Sequence, residues 1–565
     1  MRVRMRVRVR ILSLLLLFLV TSCSPKGDYV RIDTKAMETD RYATVNEGEV
    51  RVFTMYSEDI NPNDDIFSSP VAQEITRRSG IKLDIEYPVS DVSERVGIMI
   101  ASGDYPDFVM VKETDRFVDA GAYIDLEPLI KDYAPNLQKL YEKDWERLRY
   151  SEDNPAVYVL SSTPIGEVKK EPSMGFMLQH AVVKELGYPT LRTVEDFEKA
   201  IKAYIQKYPK IKGQETIGVS LCADDWRWHI NIGNSAGFAT GLPDDGTWYI
   251  DPETYEASYR FLRKEEKEYY RWLNHMYDIG LIDPDSFVQK YDAYLAKIAS
   301  GRVIGLIDAY WEYSGAEQVL RGRGEFERTY GMYPIQLDET TIAADFRDAG
   351  YQAGYGIGIT KNCEDPIAAI RFLDFLASEE GQILRSWGIE GIHYSIDEKG
   401  KRVISDEEMY QRVNDENYTK DTGVGAYIYP FPSYGSGVLD STGNPYRVET
   451  FENMIESYSD IEKEVLEAYG AKTWGELYPS AEEVKKSDWG AAWNIPIPEY
   501  TGVSATLDAC NAIMKEKIIE AIISDPMSFD VIWESAMKEL ENIGVYEMNA
   551  KFTELVKARV KSWKE

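Results

Sequence analysis

The sequence is poor in cysteine, with 4 in 565 residues. Apart from Cys23 near the N-terminus, the cysteines are Cys222, Cys363 and Cys510, which are far apart and form no CxxC pair. Three widely spaced thiols cannot all pair, so the sequence predicts neither a disulfide framework nor a zinc site. We expect these three to be buried free thiols.

Basic residues are also scarce. There are 64 Lys and Arg against 96 Asp and Glu, which gives a formal net charge of -32. A protein of that sign repels a phosphate backbone, which argues against a nucleic-acid-binding function. The apolar share of 44% is near the globular average and argues against a disordered or fibrous chain. The length is enough for two to four domains, or for one large pair of lobes.

Long apolar runs are missing after the first 20 residues, so we expect no transmembrane helix in the body of the protein. The one early run, Ile11–Val20, has only about half of the ~20 residues that a membrane span needs. It follows five arginines, which makes residues 1–22 typical of an export signal peptide. The alternative is an uncleaved signal anchor.

The residues around Cys23 indicate a lipid anchor. Val20-Thr21-Ser22-Cys23 resembles a bacterial lipobox, in which the cysteine is acylated and becomes the first mature residue. A multiply acylated cysteine holds a protein stably at a membrane. Residues 23–48 are polar and aperiodic, as in a tether. Loss of residues 1–22 moves the net charge from -32 to -37, so we expect the body to stand clear of anionic lipid, outside the cytoplasm.

Strands and helices alternate along the chain. The predicted strands are Val50–Tyr56, Lys82–Tyr87, Asp107–Val111, Thr216–Leu221, Val303–Ile307 and Tyr355–Thr360. The predicted helices include Pro70–Ser79, Val92–Ala101, Ala257–Tyr277 and Pro366–Leu384. Such alternation is the pattern of a parallel sheet covered by helices and predicts an α/β fold.

Acidic residues follow three of these strands, and at two of the three they stand beside aromatic residues. In open α/β sheets, ligands bind beyond the carboxyl ends of the strands. The residues found there are Glu58, Asp59 and Asn61 after the first strand, Asp224, Asp225, Trp226 and Trp228 after 216–221, and Asp308, Tyr310 and Trp311 after 303–307. Any single ring could equally fill a gap in the core. The recurrence favours one shared site.

Flat rings beside carboxylates are the combination that sugars need, because a pyranose packs its C–H face on a ring while its hydroxyls seek carboxylates, amides and arginine. Aromatic residues make up 12% of the chain, with 39 Tyr, which is more than one core needs. Aromatic packing adds about 0.5–1.5 kcal/mol per pair beyond buried area. Several such contacts give micromolar binding, about 8 kcal/mol.

An anchored carbohydrate-active enzyme is the alternative. Gly233–Gly237 fits the nucleophile-elbow pattern G-x-S-x-G, but residues 238–243 are a poor helix start, and neither His275 nor His393 follows a clear acidic loop. No H-E-x-x-H or P-loop motif is present, and the glycines at 354–358 do not open a helix. Paired carboxylates of a glycoside hydrolase stay open, since their separation of about 5–10 Å is spatial.

Four segments resemble one family. They are Ile100–Asp107 (IASGDYPD), Gly121–Asn136 with its final YAPN, Trp387–Tyr394 (WGIEGIHY) and Asp488–Trp493 (DWGAAW). They are similar to segments of the extracellular solute-binding proteins of bacterial carbohydrate ABC transporters (family 1-like), particularly the long lipoprotein, oligosaccharide-binding branch. The matches are spread over most of the mature chain and single out no particular sugar.

This resemblance implies a periplasmic-binding-protein-like fold with two discontinuous lobes joined by hinge strands. The expected lobes are residues 49–165 with 352–386, and residues 166–351 with 387–565. It implies no catalysis: closure around a sugar presents the closed form to the membrane subunits of an ABC permease. The stacking candidates that it implies are Trp226, Trp228, Tyr310, Trp311, Tyr355 and Trp387, with Trp489 and Trp493 as runners-up.

Several relatives carry a calcium loop at the position of residues 208–215, which here read YPKIKGQE. Lysine in place of oxygen ligands predicts no metal there, and no cofactor is predicted. The expected partners are a carbohydrate, the permease and the membrane, for a monomeric protein. The charge disfavours strongly acidic sugars, although an arginine-lined cleft could override it. A peptide- or ion-binding receptor on the same fold is a third, weaker interpretation.

Overall fold

The computed structural model describes residues 50–59, 66–88, 92–169 and 171–564. The predicted signal peptide at 1–22, the predicted anchor Cys23 and the tether up to residue 48 lie outside the described residues. The candidate ligand residue Asn61 lies outside them as well.

Strands and α-helices alternate through most of the chain. The described strands are β1 (Arg51–Ser57), β2 (Ile81–Glu86), β3 (Phe108–Val111), β4 (Leu160–Ser161), β5 (Met174–Gln179), β6 (Lys210–Ile211), β7 (Gln214–Glu215), β8 (Ile217–Ser220), β9 (Trp248–Ile250), β10 (Ala257–Tyr259), β11 (Val303–Ala309), β12 (Tyr330–Tyr333), β13 (Gly356–Ile359), β14 (Ser395–Ile396) and β15 (Arg402–Val403). The described α-helices are α1 (Pro70–Ser79), α2 (Val92–Ser102), α3 (Thr114–Asp119), α4 (Glu127–Tyr133), α5 (Pro135–Tyr141), α6 (His180–Glu185), α7 (Val194–Lys207), α8 (Ser235–Ala239), α9 (Lys264–Asp278), α10 (Tyr291–Ala299), α11 (Tyr310–Gly322), α12 (Pro366–Ala377), α13 (Glu379–Ser386), α14 (Asp406–Asn414), α15 (Tyr418–Thr422), α16 (Phe451–Ser457), α17 (Asp460–Ala468), α18 (Val503–Ile523), α19 (Phe529–Asn542) and α20 (Val545–Lys564). A π-helix at His229–Asn234 precedes α8.

The first sheet has the strand order β2-β1-β3-β13-β4. Strand β1 pairs in parallel with β2 and β3, whereas β13 runs antiparallel to β3 and β4. The carboxyl ends of β1 and β3, at Ser57 and Val111, therefore lie at one edge, where β13 begins at Gly356. The four predicted strands of this sheet match β1, β2, β3 and β13 to within about one residue at each end.

The second sheet has the order β12-β5-β11-β8. Strands β8 and β11 are parallel, and β5 is antiparallel to both β11 and β12. Ala309 at the end of β11 pairs with Met174 at the start of β5. The ends of β8 and β11 consequently share an edge with the start of β5, which is the edge that the strand-exit prediction requires.

The ends of helix α1 are determined by residues at its own boundaries. The hydroxyl of Ser69 accepts a hydrogen bond from the backbone N–H of Ala72 at 3.3 Å, and Pro70 occupies the first turn. Gly80 ends the helix with a φ of 73°, a left-handed conformation that glycine adopts without strain. The predicted bounds, Pro70–Ser79, are those observed.

Each lobe has two hydrophobic clusters of buried residues, of which the larger is its main core. The first core, that of the first lobe, surrounds the first sheet and draws on Phe53–Leu160 and Ala353–Tyr446. The second core surrounds the second sheet and draws on Phe176–Ile335 and Tyr458–Val560. Residues 418–446, which the sequence assigned to the second lobe, contribute buried side chains to the first core, whereas α14 contacts α11 of the second lobe. The two-lobed α/β fold that was predicted is confirmed.

Two long predicted helices differ from the structure. The segment predicted as Ala257–Tyr277 begins as strand β10, which pairs with β9, so its helix starts only at Lys264. The segment predicted as Pro366–Leu384 is divided at Ser378, whose hydroxyl accepts a hydrogen bond from the backbone N–H of Gly381 at 3.1 Å and caps α13. A cap in mid-segment ends one helix and begins the next.

The cysteines in the described residues, Cys222, Cys363 and Cys510, are buried free thiols, as predicted. Burial raises the pKa of Cys222 and of Cys510 to about 11, so both stay protonated at neutral pH. None of the helices in the described part of the chain combines the length and the apolar character needed to cross a membrane.

Buried carboxyl groups make stability depend on pH. Burial raises the pKa of Glu171, Asp245 and Glu312 to about 7 each. Between about pH 4.5 and 7 the folded chain therefore holds protons that the unfolded chain has released, and its free energy of unfolding falls as pH rises. Burial lowers the pKa of His180 and His229 to about 4, which acts in the opposite direction, but the three carboxyls outnumber the two imidazoles.

We therefore expect the melting temperature to fall as pH is raised from 5 to 8, measured by circular dichroism. Glu171→Gln should flatten this slope, because the amide has no proton to release. A slope in Glu171→Gln identical to that of the parent chain would show that Glu171 does not carry the effect. Glu195→Gln is the control, since Glu195 is 72% exposed on α7 and forms an ion pair with the similarly exposed neighbour Lys199.

Candidate functional site

The edges of the two sheets meet at Lys112, the residue after β3. Its ammonium lies 2.6 Å from an Asp59 Oδ1 and 3.5 Å from Glu58 Oε1, both of which follow β1. The same ammonium lies 5.4 Å from the ring centroid of Trp226, which follows β8 in the other lobe. Strand ends from both lobes therefore converge at one place, and cation, carboxylates and ring contact each other across the interlobe cleft.

Two tryptophans form an exposed stack at this edge. The rings of Trp226 and Trp311 lie 5.8 Å apart between centroids, with an interplanar angle of 18°. They are 41% and 51% exposed, which is unusual for the largest apolar side chain. Exposed apolar surface of this kind marks interaction sites. The neighbouring Tyr310, 46% exposed, packs edge-on against Tyr313.

Arg227 holds this stack in an ion-pair network. Its Nε donates to Glu312 at 2.8 Å and its terminal nitrogen to Asp225 at 2.6 Å. The guanidinium carbon also lies 3.7 Å from the ring centroid of Tyr291 and 4.7 Å from that of Trp226. Burial raises the pKa of Glu312 to about 7 in spite of the arginine. The network fixes the direction of the loop that carries Trp226.

The first-lobe carboxylates are also held in place. Glu58 accepts a hydrogen bond from the backbone N–H of Lys112 at 2.7 Å, and burial raises the pKa of Glu58 above its usual range. Asp59 accepts a hydrogen bond from the hydroxyl of Tyr429. Burial likewise raises the pKa of Tyr355, which interacts with Tyr429. Donors and acceptors at this edge are thus preorganised before any ligand arrives.

A second ring pair crosses the cleft. Tyr355, just before β13 in the first lobe, lies 5.5 Å from the ring of Trp493. Trp493 belongs to the second lobe, where its indole nitrogen donates to the backbone carbonyl of Asp244 at 3.1 Å. Trp493 is 41% exposed, so its ring retains free surface.

A cavity of about 1380 Å³ opens between the lobes. Its wall includes Tyr310 and Trp493 from the second lobe and Val424 and Gly425 from the first. The cavity is larger than the ~300–1,000 Å³ typical of sites for drug-sized ligands. Neither tryptophan of the stack lines this cavity, but Tyr310, which precedes Trp311 in the chain, does.

Three predicted site residues lie elsewhere. Trp228 is fully buried in the second core beside Phe261, and Trp387 is only 2% exposed, with its indole nitrogen donating to the carbonyl of Pro445 at 3.0 Å. Asp308 lies inside β11, which extends two residues beyond its predicted end, and accepts hydrogen bonds from Tyr294 and Asn231. In this conformation none of the three faces the cleft.

The remaining described candidates are brought together. Glu58, Asp59 and Trp226 contact Lys112, Trp311 stacks on Trp226, and Asp225 joins them through Arg227. Tyr355 and Tyr310 border the cleft, and of the runners-up Trp489 is fully buried whereas Trp493 is not.

Lys112, Arg227 and Tyr429 are site residues that the sequence prediction missed. Lys112 follows β3 directly, so the strand-exit rule would have found it had it been applied to that strand. Arg227 lies between the candidates Trp226 and Trp228 in the sequence, and a cation between two aromatic residues was the signal that could have identified it. Tyr429 lies in a long segment without a strand or helix, and no pattern in the sequence indicates its position.

The serine-hydrolase pattern has no catalytic geometry. A helix, α8, does begin at Ser235, contrary to the sequence prediction, but the serine is completely buried and its hydroxyl donates to the carbonyl of Ile232 at 2.8 Å. Within the described residues, no three His, Cys, Asp or Glu side chains are grouped to hold a metal ion. The segment at the relatives' calcium loop forms the hairpin of β6 and β7.

The ion pairs of Lys112 with Glu58 and Asp59 can be tested by substitution. Lys112→Met leaves Glu58 and Asp59 without their shared cation, so we expect a loss of about 1 kcal/mol in stability at pH 8. The loss should shrink as pH is lowered toward 4.5, because burial raises the pKa of Glu58 and its carboxyl gains a proton earlier than an exposed one. Thermal unfolding at the two pH values measures this, with Lys199→Met on exposed α7 as the matched control. A loss independent of pH would contradict the assignment.

Two α/β lobes with an aromatic cleft between facing sheet edges define a two-lobed binding protein. The chain belongs to the family described as bacterial extracellular solute-binding proteins, whose sequence profile matches residues 71–389. The family predicted from the sequence is thereby confirmed.

Two curated relatives and two solved structures illustrate the similarity. The chain is 22% identical to lipoprotein LipO of Bacillus subtilis over 374 residues, which cover 64% of this chain and 70% of LipO. It is 23% identical to the fructooligosaccharide ABC transporter substrate-binding protein FusA of Streptococcus pneumoniae over 264 residues, which cover 40% of this chain and 44% of FusA.

The solved structures share the fold. The calcium-free alginate-binding protein AlgQ2 superposes with a TM-score of 0.65 at 18% identity, covering 90% of this chain and 98% of AlgQ2. An EF-hand mutant of S. pneumoniae FusA in complex with fructo-nystose superposes with a TM-score of 0.64 at 16% identity, covering 90% and 99%.

Proposed function

We propose that this protein is a lipid-anchored receptor that captures an oligosaccharide in the interlobe cleft and delivers it to the membrane subunits of an ABC importer, without catalysis. The observation that carries this proposal is the exposed stack of Trp226 and Trp311 beside the hydrogen-bonding side chains of Lys112 and Arg227.

Sugar rings fit this arrangement physically. The apolar C–H face of a pyranose or furanose packs on indole, and each such contact adds about 0.5–1.5 kcal/mol beyond the buried area. Hydroxyl groups donate to carboxylates and accept from Lys112 and Arg227. The cavity of about 1380 Å³ gives room for several sugar units rather than one.

The names of similar proteins support the choice of ligand class. FusA is named for fructooligosaccharide, AlgQ2 is described as alginate-binding, and a further structural neighbour, from Bifidobacterium longum infantis, is described as an HMO-binding solute-binding protein associated with an ABC transporter.

Closure of the lobes is the proposed working step. Lys112 against Trp226 and Tyr355 against Trp493 are contacts between lobes, so the cleft is shaped by both halves together. A sugar that touches both walls binds the closed form more tightly and shifts the population toward it. The closed form is then what the permease recognises.

Lipid anchoring is proposed from the lipobox at Cys23 and is supported by the similarity to a protein named as a lipoprotein. Expression in a bacterial host with labelled palmitate tests it. We expect label in the parent chain and none in Cys23→Ala, which should appear in the soluble fraction; equal labelling of both would contradict the anchor.

Ligand binding and catalysis are separated by one experiment. The soluble chain from residue 24 is mixed with an oligosaccharide panel, melting temperatures are recorded, and the sugars are afterwards analysed by mass spectrometry. We expect stabilisation by at least one oligosaccharide with the sugar recovered intact. Shortened sugars would instead establish the anchored carbohydrate-active enzyme.

A further inference from the structure

The charged side chains of the cleft indicate which ligand charge it accepts. At the tryptophan stack, Lys112 is bound by Asp59 and Arg227 by Asp225. Arg227 also contacts the buried Glu312 at 2.8 Å. Both cations next to the rings are therefore already neutralised by carboxylates of the protein.

The cations on the wall of the cavity are engaged in the same way. Arg321 lies 2.9 Å from Glu462 and 3.9 Å from Glu317. Arg347 lies 3.9 Å from a carboxylate oxygen of Asp245. The remaining described lysines and arginines of the wall are each bonded to a carboxylate or a backbone carbonyl: Lys169 to the carbonyl of Asp345, Lys401 to that of Gly443, and Arg412 to Glu408.

Acids are in excess on this wall. Among the described residues, nine Asp and Glu but only five Lys and Arg line the cavity. Asp244 and Asp345 are among them, and burial raises the pKa of Asp345 to about 6. A buried carboxylate is a strong acceptor for hydroxyl groups and a poor neighbour for another anion.

We infer that the cleft selects uncharged oligosaccharides and discriminates against those built from uronic acids. This inference rests on the proposed function. A neutral sugar gives its hydroxyl protons to carboxylates that are already placed. A uronate would have to break an ion pair of the protein, or bring a further negative charge beside Asp59, Asp225 and Glu312.

The test uses matched pairs of glycans. Each pair is a neutral oligosaccharide and the same chain with its C6 alcohols oxidised to carboxylates, titrated into the soluble chain by calorimetry at pH 7.5. We expect the neutral member of the binding pair to be at least tenfold tighter. A uronate that binds as tightly as its neutral partner, or more tightly, overturns the inference. Failure of both members of every pair would refute the proposed function itself.

The variant Asp225→Asn tests whether the ion pairs of Arg227 cause the selectivity against uronates. Asp225 has 43% of its side chain exposed, so the change should leave the fold intact while it frees part of Arg227. We expect the penalty against the uronate member to shrink at least threefold, with Glu195→Gln on α7 leaving it unchanged. Glu312→Gln should act in the same direction, because it releases the other contact of Arg227. An unaltered penalty in both variants contradicts the inference.

Discussion

Replacing Trp311 with alanine is expected to weaken oligosaccharide binding at least tenfold, which corresponds to about 1.4 kcal/mol. Trp311 is the more exposed ring of the stack at 51%, whereas Trp226 already contacts Arg227 and Lys112. A sugar placed on the stack therefore meets Trp311 first. Trp226→Ala should also weaken binding, because it removes the ring that supports Trp311.

Calorimetry on the parent chain and each variant measures the effect. Tyr546→Ala is the matched control, since this aromatic residue is 62% exposed on α20 and contributes to neither the stack nor the cavity wall. Both tryptophan variants should melt close to the parent temperature, because exposed rings contribute little to stability. Parent-like affinity in Trp311→Ala and Trp226→Ala alike would place the sugar elsewhere.

Arg385→Met is expected to lower the stability of the first lobe by about 3–5 kcal/mol. Arg385 is only 1% exposed, and its guanidinium donates to the backbone carbonyls of Leu376, Tyr427 and Pro432 at 2.6–2.9 Å. Burial lowers the pKa of Arg385 to about 9, so the side chain remains charged at neutral pH. Methionine fills similar volume but leaves those carbonyls without donors.

Arg385→Met should also disturb the cleft. The carbonyls of Tyr427 and Pro432 flank Tyr429, whose hydroxyl bonds to Asp59, so loss of the arginine frees the segment that positions this contact. Urea unfolding followed by circular dichroism measures the stability change. Arg77→Met on α1, with 69% of the side chain exposed, should leave the stability close to that of the parent chain. Equal, small losses in both variants would contradict the role of Arg385.

Local structure was predictable from the sequence where local chemistry decides it. Helix α1 is bounded by a serine cap and a glycine end, and the short apolar strands are bounded by turn residues. The strand-exit rule also located Glu58, Asp59, Trp226 and Trp311, because it depends only on where parallel strands end. These elements need no knowledge of distant parts of the chain.

The burial of individual rings was not predictable in that way. Trp228 stands two residues from Trp226, yet it turns into the second core, while Trp226 remains at the surface. Trp387 lies in a segment that resembles the family, but it packs beneath Pro445. Which ring faces the cleft depends on contacts made by residues far away in sequence, and a single sequence contains no record of those contacts.

The lobe to which some segments belong was equally unpredictable from the sequence. Residues 418–446 join the core of the first lobe, although their sequence has few strong periodic patterns. The helix predicted over Ala257–Tyr277 failed at its start because pairing with β9 outweighed helical propensity. Tertiary contacts decided both cases.

The most direct test is a crystal structure of the soluble chain with an oligosaccharide that raises its melting temperature. Our proposal expects an intact sugar between the lobes, with one ring lying flat against Trp311 or Trp226 and hydroxyls within hydrogen-bonding distance of Asp59 or Arg227. A sugar bound on an outer face, or a cleft in which both indoles have turned into the core, would contradict it.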